Sequence, residues 1–334
     1  RSMHTIVSGI RPTGNLHVGN YFGAVINFLK LQSEEKCYFF IADWHSLTTA
    51  PHPEDIIAND YTILAEYLAC GLDPEKCTIY MQSDVHQTLE LYLYLNMLAY
   101  MGELERTTTF KDKVRLQPDN VNAGLLTYPT LMAADILQHR AWGVPVGKDQ
   151  EQNMEMARIY AKRFNSTYGV DFFPLPKSLA SNGESAVKIP GLDGSGKMGK
   201  SEGNALYLRD DEKTIRKKVM KAVTDAGPQE PHSEMPEVIR NLFTFLEIVS
   251  DKETNDFYRA AWDDCSIRYG DLKKQIATDL NAFIAPIRER IEEYSSDRAY
   301  LERVATAGAE RARESAEATL REIRSIVGFP PYRG

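Results

Sequence analysis

The first two-thirds of the chain alternate short apolar runs with stretches in which apolar residues recur every three or four positions. The runs T-I-V-S from Thr5, C-Y-F-F-I-A from Cys37, C-T-I-Y-M from Cys77 and V-P-V from Val144 read as buried strands. Helical spacing lies between them, near 23–33, 53–70, 87–101 and 150–165, and again from about Pro129 to Leu137. Pro129 suits the first turn of its helix, where a missing N–H costs nothing. Strand–helix–strand alternation predicts an α/β fold, a parallel sheet with helices on both faces. Ligands of such sheets sit beyond the carboxyl ends of the strands, near the reversal of strand order.

The pattern changes around 174–206. F-P-L-P (Phe173 to Pro176), S-N-G-E-S (Ser181 to Ser185) and the Gly/Ser-rich run from Pro190 to Asn204 read as loops, the last as a mobile one. From about 210 to 327 only helical patterns remain. The run from Asp210 to Met220 has its acids first and its bases last, as the helix dipole favours. The expected division is an α/β domain at 3–208 and an all-helical domain at 209–295. A long charged helix at 296–328 is expected to pack back on the first domain.

Composition narrows the class. A length of 334 residues suggests about two domains. A hydrophobic share of 43% and a charged share of 26% are those of an ordinary globular protein. No apolar run reaches the roughly 18 residues of a membrane span, and Arg1-Ser2-Met3 begins no signal peptide. Met3 reads as the native start and Arg1-Ser2 as a cloning scar. Cys37, Cys70, Cys77 and Cys265 form no C-x-x-C pair and lack His at zinc spacing. They read as reduced core thiols of a cytoplasmic protein, with no metal site. The net charge of −8 is not that of a dedicated nucleic-acid binder. A local basic patch can still carry phosphate contacts.

Two short segments carry candidate chemistry. R-P-T-G-N-L-H-V-G-N-Y-F-G, from Arg11 to Gly23, stands where a strand should turn into a helix. A helix start offers unpaired N–H groups that attract phosphate. His17 and Asn20 add side-chain donors, and Gly19 lets a ring or phosphate approach the backbone. A plain capped turn is the alternative. G-K-M-G-K-S, from Gly196 to Ser201, sets two lysines three apart in a glycine-rich loop. It suits either a solvated basic turn or the neutralisation of a transferring triphosphate.

As a pair, the two segments resemble the H-I-G-H and K-M-S-K-S signature of class I aminoacyl-tRNA synthetases. The chain is similar to the bacterial tryptophanyl-tRNA synthetase family over essentially its whole length. The matching segments are S-G-I-R-P-T-G from Ser8, G-N-Y-F-G from Gly19, G-E-L-E-R from Gly102 and F-K-D-K from Phe110. They continue with A-G-L-L-T-Y-P from Ala123, L-M-A-A-D-I-L from Leu131, V-P-V-G-K-D-Q from Val144, K-M-G-K-S from Lys197 and A-V-T-D from Ala222. L-M-A-A-D-I-L together with V-P-V-G-x-D-Q points to tryptophan rather than tyrosine. A tyrosyl enzyme, or an adenylate-forming paralogue that does not charge tRNA, is the alternative.

The resemblance implies a Rossmann-like catalytic domain followed by a helical anticodon-binding domain. It implies a homodimer with ATP, L-tryptophan and tRNA(Trp) as partners, no membrane, and Mg²⁺ carried on the ATP phosphates. His17, Asn20, Lys113, Lys197, Lys200 and Ser201 would stabilise phosphoryl transfer, Lys113 at the leaving pyrophosphate. Arg11, Pro12, Thr13, Gly19, Gly147, Lys148, Asp149, Ile189, Met198 and Gly199 would complete the ATP site. Asp149 would accept from the ribose, and Ile189 and Met198 would flank adenine. Val7, His45, Tyr128, Met132, Asp135, Val144, Val146 and Gln150 would form the tryptophan pocket. The resemblance assigns Asp135 to the indole nitrogen, and Tyr128 with Gln150 to the substrate amino group.

Physical reading supports part of this. Tyr128, Met132 and Asp135 fall on roughly one helical face. A buried acid needs a partner, and indole offers one donor and no acceptor. A neighbouring backbone group or His139 is the other candidate partner. Lys217, Lys218, Lys221, Arg240, Arg288 and Arg290 are candidate tRNA phosphate contacts, or a solvated charged face. Four positions depart from the family pattern. Gly199 replaces the serine of K-M-S-K-S, Asn20 the final histidine of H-I-G-H, and Arg11 a frequent glutamine. Val7 stands where Phe can flank the indole.

Overall fold

The computed structural model describes residues 3–180 and 188–334. The S-N-G-E-S segment and Arg1-Ser2, expected to be a scar, lie outside the described residues. Five strands form one parallel sheet: β1 (Thr5–Ile10), β2 (Lys36–Ile41), β3 (Thr78–Met81), β4 (Gly143–Val146) and β5 (Lys177–Ala180). Their order is β3-β2-β1-β4-β5. β1 runs in register with β2 from Thr5 opposite Lys36 to Ile10 opposite Ile41. On its other side Ile6 faces Gly143 of β4. Strand order therefore reverses between β1 and β4, the place where such sheets bind ligands.

The first four strands stand where the apolar runs put them, because a strand covered on both faces must be apolar throughout. β5, K-S-L-A, escapes that reading. It is an edge strand, part-exposed, and lacks β-branched residues. The helix Pro53–Cys70 has the expected bounds, with proline in its first turn and Gly71 closing it in a left-handed conformation. The 87–101 pattern divides into Gln87–Asn96 and Met101–Glu105.

Beyond 208 come Glu212–Met220, Glu237–Val249, Lys252–Asp263, Tyr269–Ser296 and Arg298–Val327. Ile215, Leu272, Leu280 and Ile291 join one apolar core with Phe28, Leu64 and Leu68 beside the sheet. The helix Arg298–Val327 lies against β3, where a β-carbon on Gly308 would collide with the Ile79 carbonyl. Four of the six expected tRNA contacts are engaged within the chain. Lys218 binds Asp210, Arg288 the Asp210 carbonyl, Arg290 the Ala69 carbonyl and Arg240 the Met235 carbonyl. Lys217 and Lys221 are exposed.

Candidate active site

The turn after β1 is built by His17 and Asn20 capping each other. The Asn20 N–H donates to His17 Nδ1 at 3.2 Å, and the His17 N–H donates to Asn20 Oδ1 at 2.9 Å. The capped-turn reading is thus correct, and it leaves the phosphate reading open. An accepting Nδ1 puts the ring proton on Nε2. An accepting Oδ1 turns the Asn20 amide nitrogen away from the turn, and no hydrogen bond engages it among the described residues. Each side chain spends one atom on the cap and keeps one donor. Burial, aided by the Lys197 charge, lowers the His17 pKa below its ordinary value, so the ring is neutral at pH 7. The next residues, Tyr21–Val25, form a widened helical turn, a feature frequent at functional sites.

The basic loop meets this turn through the backbone. Residues 16–18 pair antiparallel with 206–208: the Val18 N–H donates to the Leu206 carbonyl at 2.9 Å, and the Leu208 N–H to the Leu16 carbonyl at 3.0 Å. Asn204 organises the loop itself. Its Oδ1 accepts the Gly199 N–H at 2.9 Å, and its amide donates to the Lys197 carbonyl and the Asp193 carboxylate, both at 3.0 Å. Lys200 lies over Gly14, with its Nζ 2.9 Å from where a β-carbon would stand. Gly14 also has φ +74°, so a side chain there meets both strain and steric conflict.

Between the two segments opens a cleft of about 770 Å³. His17, Gly19, Asn20, Lys148, Ile189, Lys197, Met198, Gly199 and Ser201 line it. Lys200 is beside it over Gly14, and Pro12 and Thr13 line neither this cleft nor the next. Side-chain donors and ammonium groups together with the apolar Ile189 and Met198 suit a polyanion attached to an apolar ring.

A second cleft, of about 380 Å³, shares Asn20 and Val146 with the first. Arg11, His45, Tyr128, Met132, Val144, Gly147, Asp149 and Gln150 are on its walls. Val7 is not; it is fully buried in the core among Tyr38 and Phe40. Arg11 and Asp149 pair across the mouth at 3.6 Å. Lys113 sits 3.7 Å from the centre of the Tyr128 ring. Burial, aided by the Arg11 charge, lowers its pKa to about 8.

Asp135 stands one layer behind the wall and is completely buried. Its Oδ2 accepts from Gln82 Nε2 at 2.7 Å and lies 3.3 Å from His45 Nε2. Its Oδ1 is buried without a partner, a costly state for a carboxylate oxygen. Burial raises the Asp135 pKa, against the pull of His45 and Gln82. The alternative partner His139 is engaged elsewhere, with Tyr80 and Ser315.

Sequence reading missed Gln82 and Asn204. Gln82 Oε1 accepts the N–H groups of Trp44 and His45 at 2.9 and 3.3 Å, so its amide nitrogen must face Asp135. Its position directly after β3, at a strand carboxyl end, was the available signal.

A parallel sheet with two adjoining clefts at its reversal of strand order is a fold open to several chemistries, and sequence comparison gives the class. Residues 1–285 match the family model described as tRNA synthetases class I (W and Y). The chain belongs to that family. Within it, the chain is 69% identical over 327 residues to the tryptophan–tRNA ligase of Porphyromonas gingivalis, covering 98% of this chain and 100% of that one. Identity to the tryptophan–tRNA ligase of Fusobacterium nucleatum is 39%, covering 98% of each. The tryptophanyl-tRNA synthetase of Campylobacter jejuni, crystallised with ADP and tryptophan, superposes with TM-score 0.87 at 32% identity, over 97% of this chain and 100% of that one. A tyrosyl-tRNA synthetase from Archaeoglobus fulgidus shares the fold, with TM-score 0.65 at 20% identity.

Proposed function

We propose that this chain is a tryptophan–tRNA ligase. The tryptophan carboxylate attacks the α-phosphorus of ATP in line, and the bond to the β-phosphate oxygen breaks. Tryptophanyl-adenylate forms and pyrophosphate leaves. The 3′-terminal ribose hydroxyl of tRNA(Trp) then attacks the acyl carbon and releases AMP. Such chemistry depends on position and charge more than on covalent help.

The observation that carries the substrate assignment is Asp135 Oδ1, a buried acceptor without a donor behind an apolar cleft. An indole N–H would satisfy it, once His45 and Met132 admit the ring. A phenol can also donate to Oδ1, but its oxygen then needs a donor of its own, and Gln82 Nε2 and His45 Nε2 are already spent on the other carboxylate oxygen. Tyr128 and Gln150 would meet the substrate amino group. The 770 Å³ cleft suits ATP: His17 Nε2–H, the Asn20 amide, Lys197, Lys200 and Ser201 would face the phosphates, and Lys113 the departing pyrophosphate. Asp149 would leave Arg11 for the ribose diol, and Ile189 and Met198 would hold adenine. Mg²⁺ comes on the ATP phosphates and adds charge neutralisation there.

We assign 3–208 to catalysis, 209–295 to the anticodon and 296–328 to a helix returning to the catalytic domain. We further propose a cytoplasmic homodimer with one tRNA across both subunits. Leu89 and Leu93, four apart on the helix Gln87–Asn96, and Met97 at its end are exposed apolar residues that support a subunit interface.

Exchange of labelled pyrophosphate into ATP, run with each of the twenty amino acids, tests the reading. Tryptophan alone should support it at low concentration. Exchange with tyrosine alone would overturn the assignment. Exchange with tryptophan but no charging of total tRNA would favour an adenylate-forming paralogue.

A further inference from the structure

We propose that Glu66, together with Arg209, is a positioning residue for phosphoryl transfer: it fixes the spacing between the His17 turn and the basic loop. The inference rests on the ATP role proposed above for these segments. Glu66 lies on the helix Pro53–Cys70, is completely buried, and lines neither cleft.

Its two carboxylate oxygens are divided between the two halves of the site. Oε1 accepts the Leu16 N–H at 2.7 Å. Oε2 accepts from Arg209 Nε at 3.2 Å. Leu16 immediately precedes His17, and Arg209 immediately follows the strip 206–208 that pairs with 16–18. In that short ladder the Leu16 carbonyl takes the Leu208 N–H, while the Leu16 N–H points out of the ladder towards Glu66. One carboxylate therefore closes a ring made of the His17 turn, the strip after the loop and a helix belonging to neither.

A three-residue ladder is weak alone, and the loop it carries begins only two residues away, at Asn204. If the ladder slips or opens, Lys197 and Lys200 move relative to His17 and Asn20. A shift of about 1 Å at such groups can cost on the order of a hundredfold in rate. Apolar packing at this site would serve stability as well as a buried ion pair does. What the pair adds is a fixed direction and length. The far side of the strip is held separately: Lys218 binds the Ala205 carbonyl at 3.0 Å and the Asp210 carboxylate at 2.6 Å, and Asp210 takes the Tyr207 N–H at 2.9 Å. Those bonds anchor the strip without touching the His17 turn. Glu66 does both.

The test uses the full chain and the variants Glu66→Gln, Arg209→Gln, Arg209→Lys and the double Gln variant. Glu66→Gln keeps an oxygen for Leu16 but loses the ion pair with Arg209. Each single Gln variant should lower kcat for tryptophan-dependent pyrophosphate exchange about tenfold or more. L-Tryptophan binding by calorimetry should be unchanged, because none of the ladder residues 16–18 and 206–208 lines the second cleft. Arg209→Lys should recover part of the rate. The double variant should be no slower than the slower single, since both break one device. Should Glu66→Gln not fold, the half-exposed Arg209 carries the same prediction by itself. Wild-type kcat in folded variants, a lowered melting temperature with unaltered kcat, or losses that multiply in the double variant would each overturn the proposal. No exchange by the wild-type chain would overturn the proposed function, and this inference with it.

Discussion

At the scale of single residues, His17 and Asn20 each divide their polar atoms between two directions. His17 and Asn20 cap one another with Nδ1 and Oδ1, and the same bonds orient Nε2–H and the free amide. A neutral His17 donates without titrating in the physiological range, so activity should not fall between pH 8 and 7 on its account. Lys113 behaves oppositely. Its pKa is lowered to about 8, so its charge is complete below that value and is lost as pH rises through it. The KM for pyrophosphate in the exchange reaction should therefore rise above pH 8, and Lys113→Gln should remove that alkaline limb. A limb that persists in the variant would assign the titration elsewhere. The signature residues were legible in sequence because the two motifs pair at a distance no random turn explains. Gln82 was not legible, because a lone glutamine after a strand has no pattern. Its role depends on three groups from Trp44, His45 and Asp135 that only the fold assembles.

At the scale of elements, four strands and the helix Pro53–Cys70 followed directly from apolar spacing and capping residues. The edge strand Lys177–Ala180 did not, because an edge needs less apolar surface and its pairing with β4 is made by backbone. The basic loop is ordered by Asn204, not by its own lysines. Asn204→Ala should raise the KM for ATP several-fold, on the order of 1 kcal/mol per lost bond, and leave tryptophan binding unchanged. Equal ATP kinetics in that variant would show that the loop needs no such brace. Packing of the last helix makes a different demand. Gly308 sits where the helix backbone touches β3, so Gly308→Val should destabilise the fold by about 1–3 kcal/mol or more, read as a lowered midpoint in urea. An unchanged midpoint would mean the helix can lift from β3 without loss.

At the scale of the whole molecule, the reversal of strand order between β1 and β4 places both clefts side by side, with Asn20 and Val146 common to the two. With ATP in the larger cleft and tryptophan in the smaller, as proposed, the amino-acid carboxylate and the α-phosphate would meet without either substrate crossing the protein. The exposed apolar residues Leu89, Leu93 and Met97 belong to this scale too. If the proposed dimer forms through them, Met97→Glu should shift the sedimenting species towards monomer, and a dimer unaltered by the substitution would locate the interface elsewhere. The central claim is that a buried carboxylate with one free oxygen selects an indole. The most direct test is the ratio of kcat/KM for tryptophan over tyrosine in pyrophosphate exchange, wild type against Asp135→Asn. The account predicts a fall in that ratio of about tenfold or more, because a carboxylate acceptor is exchanged for a weaker amide. An unchanged ratio in a folded variant would contradict it.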